Sequence, residues 1–144
     1  MKDSIALSEI GQIALTVSDV DRARRFYHEV LGLKRLFDAG SNLSFLAAGG
    51  LRLMLTTPQG AGAVGQNSVL YFRAAELDRT YATLLERGAG AERAPHLTAK
   101  MPDHELWMAF IRDPDGNLIG LMEERRLQKP SPAEAEQLRI LSKE

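Results

Sequence analysis

The chain reads as an α+β protein made of two βαβββ modules. Short apolar runs at the period-two spacing of strands are interrupted by two segments with helical spacing. The order strand, helix, three strands then occurs twice. The repeat can be aligned: Asp19-Val20-Asp21-Arg22 matches Glu76-Leu77-Asp78-Arg79 at an offset of 57, and the helix-ending glycines Gly32 and Gly88 match at 56, so one residue of slip lies between strand and helix. The modules cover about residues 9–56 and 68–124 of a single domain, residues 1–125, and a short C-terminal helix is expected in the tail, residues 126–144. A chain of 144 residues is long enough to bury a real core.

In the first module, Ile13, Leu15 and Val17 alternate with Gln12, Ala14 and Thr16, as in a half-buried strand, which sets Gln12 on the face opposite the large apolar residues. Asp19 is placed to cap a helix running to Leu31, with Val20, Ala23, Phe26, Tyr27, Val30 and Leu31 on one face and Gly32 at its end. Three strands follow at residues 33–38, 43–48 and 51–56, separated by Ala39-Gly40-Ser41-Asn42 and by Gly49-Gly50. Residues 57–67, rich in Gly and Ala, connect the halves.

The second module opens with a strand at residues 69–73 and a helix at residues 76–87, with Leu77, Tyr81, Leu84 and Leu85 on one face. A strand at residues 91–98 and a polar loop at residues 100–103 come next; Met101 and Pro102 could act there as a lid. Apolar runs at residues 106–111 and 118–122 make a hairpin closed by Asp113-Pro114-Asp115-Gly116-Asn117, where Pro114 presets φ, the two carboxylates can take nearby amides and Gly116 can adopt positive φ. In the tail, Ser131, Pro132 and Glu134 form a helix-start signature, and Ala135, Leu138 and Leu141 give only a narrow apolar stripe.

Composition removes several function classes. Eighteen basic and nineteen acidic residues leave a net charge of −1, with no basic stripe for nucleic acid and no polybasic cluster for a membrane. Arg22, Arg24 and Arg25 read as a solvated helix face. With no cysteine, disulfides, thiolate nucleophiles and Cys-based zinc sites are excluded. No apolar run has signal-peptide or membrane-spanning length, so a cytoplasmic protein is expected.

The duplicated modules, the opening Ile10-Gly11-Gln12-Ile13-Ala14-Leu15, the run from Asp19 through Phe26-Tyr27 to Leu31-Gly32-Leu33, and the Asp113–Asn117 turn together resemble the vicinal oxygen chelate superfamily, which includes glyoxalases, extradiol dioxygenases and bleomycin-resistance proteins. The resemblance implies a curved mixed sheet forming a cup, a homodimer with the tail helix as a candidate contact, and, in metal-dependent members, four ligands, two per module. Those positions fall on Gln12, Met54, either Val69 or Ser68, and Gly120. Imidazole, carboxylate or amide oxygen suits a divalent cation there; a thioether, an aliphatic side chain or a bare glycine does not. Gln12 is the only plausible ligand of the set, so no metal and no cofactor are expected.

Two functions follow as expectations. The leading one is a small-molecule-binding protein in which Gln12, Met54, Phe72, His96, Trp107 and Gly120 line the cup. The alternative is a lyase or isomerase using His96, His104 or Glu105 for proton transfer, with a non-standard metal site that includes Gln12. Strand parity groups His104 with Leu106 and Met108 and sets Glu105 with Trp107 on the other face. The plainer reading of residues 95–105 is a polar loop. His28 reads as a surface residue; Phe110 and Met108 could line an apolar pocket with Trp107, Met54 and Phe72, core being their plainer reading; and Arg52 or Arg112 reads as a partner for Asp113 or Asp115 that pins the hairpin.

Overall fold

The computed structural model describes residues 5–59, 62–127 and Glu136. It contains two four-stranded sheets of the same topology. In the first, β1 (Gln12–Thr16) runs parallel to β4 (Leu51–Thr56), and β3 (Leu43–Ala48) and β2 (Lys34–Asp38) continue the sheet antiparallel, in the order β1-β4-β3-β2. In the second, β5 (Leu70–Arg73) is parallel to β8 (Leu118–Arg126), followed by β7 (His104–Arg112) and β6 (Gly90–Lys100), in the order β5-β8-β7-β6. The duplication read from the sequence is therefore a duplication of the fold. The sheet itself is not continuous: among the described residues β1 pairs only with β4 and β5 only with β8. The tail helix lies outside the described residues, apart from helical Glu136.

Helix α1 (Val20–Arg25) begins where the Asp19 carboxylate takes the Arg22 amide at 3.0 Å. It continues as a π-helical turn, Phe26–Val30, in which the Leu31 amide reaches back to the Phe26 carbonyl, and it ends at Gly32, with φ of 84°. Helix α2 (Leu77–Glu86) ends at Gly88 in the same way, with φ of 108°. Each helix lays its apolar stripe on its own sheet, and the two modules share one core. Leu15, Leu46, Leu53 and Leu55 from the first sheet and Ala109, Ile111, Ile119 and Leu121 from the second are buried with Phe26, Tyr27, Leu77 and Leu84 of the helical segments.

Polar groups lock the modules together. The Tyr27 hydroxyl, fully buried, donates to Asp113 Oδ2 at 2.8 Å. Burial, and then the neighbouring Asp113 charge, pushes this phenol far above its ordinary ionisation range, so it remains a donor. Asp113 also accepts the amides of Asp115 and Asn117 and the Asn117 side chain, at 2.8–2.9 Å. Asp115 takes the Ser18 amide and hydroxyl and the Arg22 guanidinium. Asn67 bridges the Thr16 backbone and Asn117. Asp113 and Asp115 thus close the turn as expected, but the arginine that meets Asp115 is Arg22 of α1, which does more than solvate a helix face. Arg112 instead donates to Glu92 and to the Gly116 carbonyl.

Residues 95–105 are not the polar loop of the plainer reading. The expected strand at residues 91–98 extends to Gly90–Lys100 as β6 and β7 starts at His104, so only Met101–Asp103 turns, closed by the Met101 amide on the His104 carbonyl at 2.8 Å. Backbone pairing on both sides leaves Met101 and Pro102 as a tight turn with no length to act as a lid. The β6–β7 ladder shifts register at three places, which blurs the alternation a sequence reading relies on.

Candidate functional site

Each sheet has a core face under its helix and an open face opposite. On the open face of the first sheet, the register sets Gln12 beside Arg52, Ala14 beside Met54, and Thr16 beside Thr56. Gln12 Nε2 donates weakly to Met54 Sδ at 3.7 Å. Phe45, next to Met54, stacks on Phe37 at 4.5 Å and carries the Arg52 guanidinium 5.7 Å above its ring. A cleft of about 440 Å³ opens beside Met54, with Thr16, Thr56, Gln59, Gln66 and Ser68 among its lining residues. It takes in none of Gly120, Phe110 and His96.

On the second sheet, Gly120 sits between Tyr71 of β5 and Phe110 of β7. The Tyr71 ring lies across the glycine: a Cβ built on Gly120 would stand 2.6 Å from Tyr71 Cε1 and closer still to Cδ1. Phe110 meets Tyr71 edge-to-face at 5.9 Å, and His96 stacks on the far side of Phe110 at 6.3 Å. The two modules match here position by position. Ala14 beside Met54 corresponds to Tyr71 beside Gly120, with large and small exchanged. Two residues earlier, Gln12 corresponds to Val69 rather than to Ser68.

The expected site residues divide into three groups. Gln12 and Met54 share the open face of the first sheet, and Gly120 and His96 that of the second. Phe72 and Trp107 point the other way and pack against the core. Trp107 Nε1 donates to Glu105 at 3.0 Å, and the Arg125 guanidinium lies 4.2 Å over its ring while also binding Glu123 and Asp78. Glu105 therefore sits with Trp107 on the helix side, away from Gln12 and His96. His104 shares the face of His96 but lies six residues along β7 from Phe110, about 20 Å at strand rise. Its Nδ1 is engaged by Asp103 at 2.7 Å, and that hydrogen bond holds the Asp103 carboxyl below its ordinary range. Among the described residues, no three His, Asp or Glu side chains group closely enough to hold a metal ion.

A sequence profile described as the Glyoxalase/Bleomycin resistance protein/Dioxygenase superfamily matches residues 9–121, nearly all of both modules. The chain belongs to that superfamily. Its relatives include the uncharacterized protein YraH of Bacillus subtilis, 30% identical over 124 residues, which cover 75% of this chain and 92% of that protein. Among solved structures, the superfamily fold is shared with a lactoylglutathione lyase from Agrobacterium tumefaciens (27% identity, 82% of this chain and 95% of the other, TM-score 0.69). It is shared equally with TnmS3, an antibiotic binding protein from Streptomyces sp. CB03234 (27% identity, 84% and 99% coverage, TM-score 0.67). This chain is thus equally similar to a structure named as a lyase and to one named as a binder. Among the described residues no helix is long and apolar enough to cross a membrane.

Tyr71 was not singled out by the sequence reading. The signal was present in the module alignment, because Tyr71 stands where the first module has Ala14.

Proposed function

We propose that this superfamily member binds a small organic molecule on the open faces of its sheets, without the divalent metal of the metal-dependent branches. The observation that carries the reading is Gly120 under the Tyr71 ring, where a carboxylate ligand would stand. The donors at the other family positions, a Met thioether, a Val isopropyl group and one Gln amide, do not fit a hard or borderline divalent ion. What remains is mostly apolar with a few polar groups, the usual make-up of a ligand site. The likeness to an antibiotic binding protein agrees with it.

The two sheets of one chain are not hydrogen-bonded to each other, β1 and β5 are edge strands, and exposed Ile10 and Val69 lie just before them. In this reading a second copy of the chain brings the two half-sites together as a homodimer. Elemental analysis of purified protein, with thermal shifts in zinc, nickel and manganese, tests the metal-free part. Stoichiometric metal that is lost in Gln12→Ala or His96→Ala would overturn it.

One observation favours a second reading, proton-transfer catalysis. His96 stands on the open face, its Nδ1 engaged by the Ala94 carbonyl at 3.1 Å and, among the described residues, its Nε2 without a hydrogen-bond partner. A screen for lyase and isomerase products, comparing wild type with His96→Ala, decides it: turnover abolished in the variant makes the protein an enzyme.

A further inference from the structure

We infer that the open face of the second sheet is a stacking corner for a flat aromatic ligand, with Tyr71 as its floor and Phe110 as its wall. The inference rests on the binding reading above and supplies a ligand class for it.

Four observations support it. First, the Tyr71 ring lies across Gly120, whereas strand side chains ordinarily stand off the sheet. Any side chain on residue 120 would lift the ring, so the glycine makes the floor possible. Tyr71 is 50% exposed, so a ligand can reach it from solvent. Second, Phe110 stands at 80° to Tyr71, and His96 backs it at 25°. A flat molecule lying on Tyr71 then meets Phe110 edge-to-face, the two geometries that aromatic pairs prefer. Third, the fold does not need an aromatic residue here. Ala14 occupies the equivalent position, beside Met54, and the first sheet forms without one. Fourth, the Tyr71 hydroxyl has no partner among the described residues, so it can serve a polar substituent at the rim of the ligand.

The test uses two probes with the same amide: flat naphthalene-2-carboxamide and its saturated decahydro analogue. Both are titrated into the full chain and followed by NMR chemical-shift perturbation. The flat probe is expected to move resonances of β5, β7 and β8 and to bind about tenfold more tightly than the saturated one. Tyr71→Phe should stay within about threefold of wild type, and Tyr71→Leu should lose about tenfold and erase the preference. Circular dichroism checks that each variant is folded.

Equal binding of the two probes, no effect of Tyr71→Leu, or no binding of either probe each overturns the aromatic class. A thermal-shift screen of non-aromatic metabolites separates this from the broader reading. A hit unaffected by Tyr71→Leu leaves small-molecule binding standing and removes the stacking corner, whereas a protein that binds nothing in a chemically broad screen removes both. Sedimentation is run in parallel: if Tyr71→Leu halves the molecular mass, the face is a subunit contact and the inference fails.

Discussion

Replacing Gly120 by alanine drives a methyl group into the ring of Tyr71. The backbone at Gly120 does not have positive φ, so the substitution brings no conformational strain of its own. On backbone grounds alone, Gly120→Ala should stabilise by about 0.4–1 kcal/mol, because alanine has less freedom to lose on folding. The steric effect opposes this. The Cβ would lie well inside contact distance of Cδ1, Cε1 and Cγ of Tyr71, and the Cγ contact cannot be relieved by moving the far end of a flexible chain. The ring must rotate off the strand as a whole, and overpacking of this kind costs about 1–3 kcal/mol. The expected net loss is about 1–2 kcal/mol. In a Tyr71→Ala background the obstacle is gone and the sign should reverse, to a gain of about 0.5 kcal/mol. Urea denaturation of the four proteins of this cycle, with m-values held constant, gives the coupling directly, and about 2 kcal/mol is expected. If Gly120→Ala costs the same with and without Tyr71, the ring does not rest on the glycine and the stacking floor is wrong.

Three further outcomes follow from contacts described above. Tyr27→Phe should cost about 1–2 kcal/mol at neutral pH by removing a buried bond to a carboxylate. It should also remove an alkaline weakness: the folded phenol holds its proton while the unfolded one releases it above the ordinary value of 10.0, so wild-type stability falls as pH rises past that point. Melting curves from pH 7 to 11 that fall equally for the variant would disprove this. Asp115→Ala should destabilise by about 2 kcal/mol and speed hydrogen exchange at the Ser18 amide, which loses its acceptor; unchanged exchange there would mean that the joint does not depend on this carboxylate. Arg125→Ala should shift Trp107 fluorescence and cost under about 1 kcal/mol while leaving ligand affinity unchanged, because both residues face the helix side. A loss of affinity in that variant would contradict the assignment of faces.

Much of the fold was legible because it is repeated. Asp19 and Gly32, and their counterparts near Glu76 and Gly88, mark helix boundaries through local chemistry, and those boundaries recur at a nearly constant offset. Parity correctly separated Glu105 and Trp107 from His104, since it needs only the pleat of one strand. It could not say which face of β7 the helix covers, so Phe72 and Trp107 were expected in the cup and instead pack, partly buried, against the core. The Asp113–Asn117 turn was readable from Pro114 and Gly116, whereas its grip on Tyr27 and Ser18 was not, because those partners are more than 80 residues away in the chain. The site was legible mainly by subtraction. Met54 and Gly120 at the family positions argued against a metal, but what fills the space depends on the β5–β8 register, a tertiary fact. The turn after residue 100 was nearly placed, but β6 runs two residues beyond the expected strand, where a register shift between Leu97 and Ala99 blurs the alternation.

The bond between Tyr27 and Asp113 spans 86 residues and joins the first helical segment to the last turn of the second module. On a ribosome adding about 5–20 residues per second, Tyr27 emerges roughly 4–17 seconds before its acceptor does. During that interval the first module has all its strands but lacks the partner for its buried phenol, and half of its shared core is missing. It is a half-finished object that water must keep open. The consequence is that neither module is complete alone: the final hairpin supplies the acceptor that the buried phenol of the first helical segment needs.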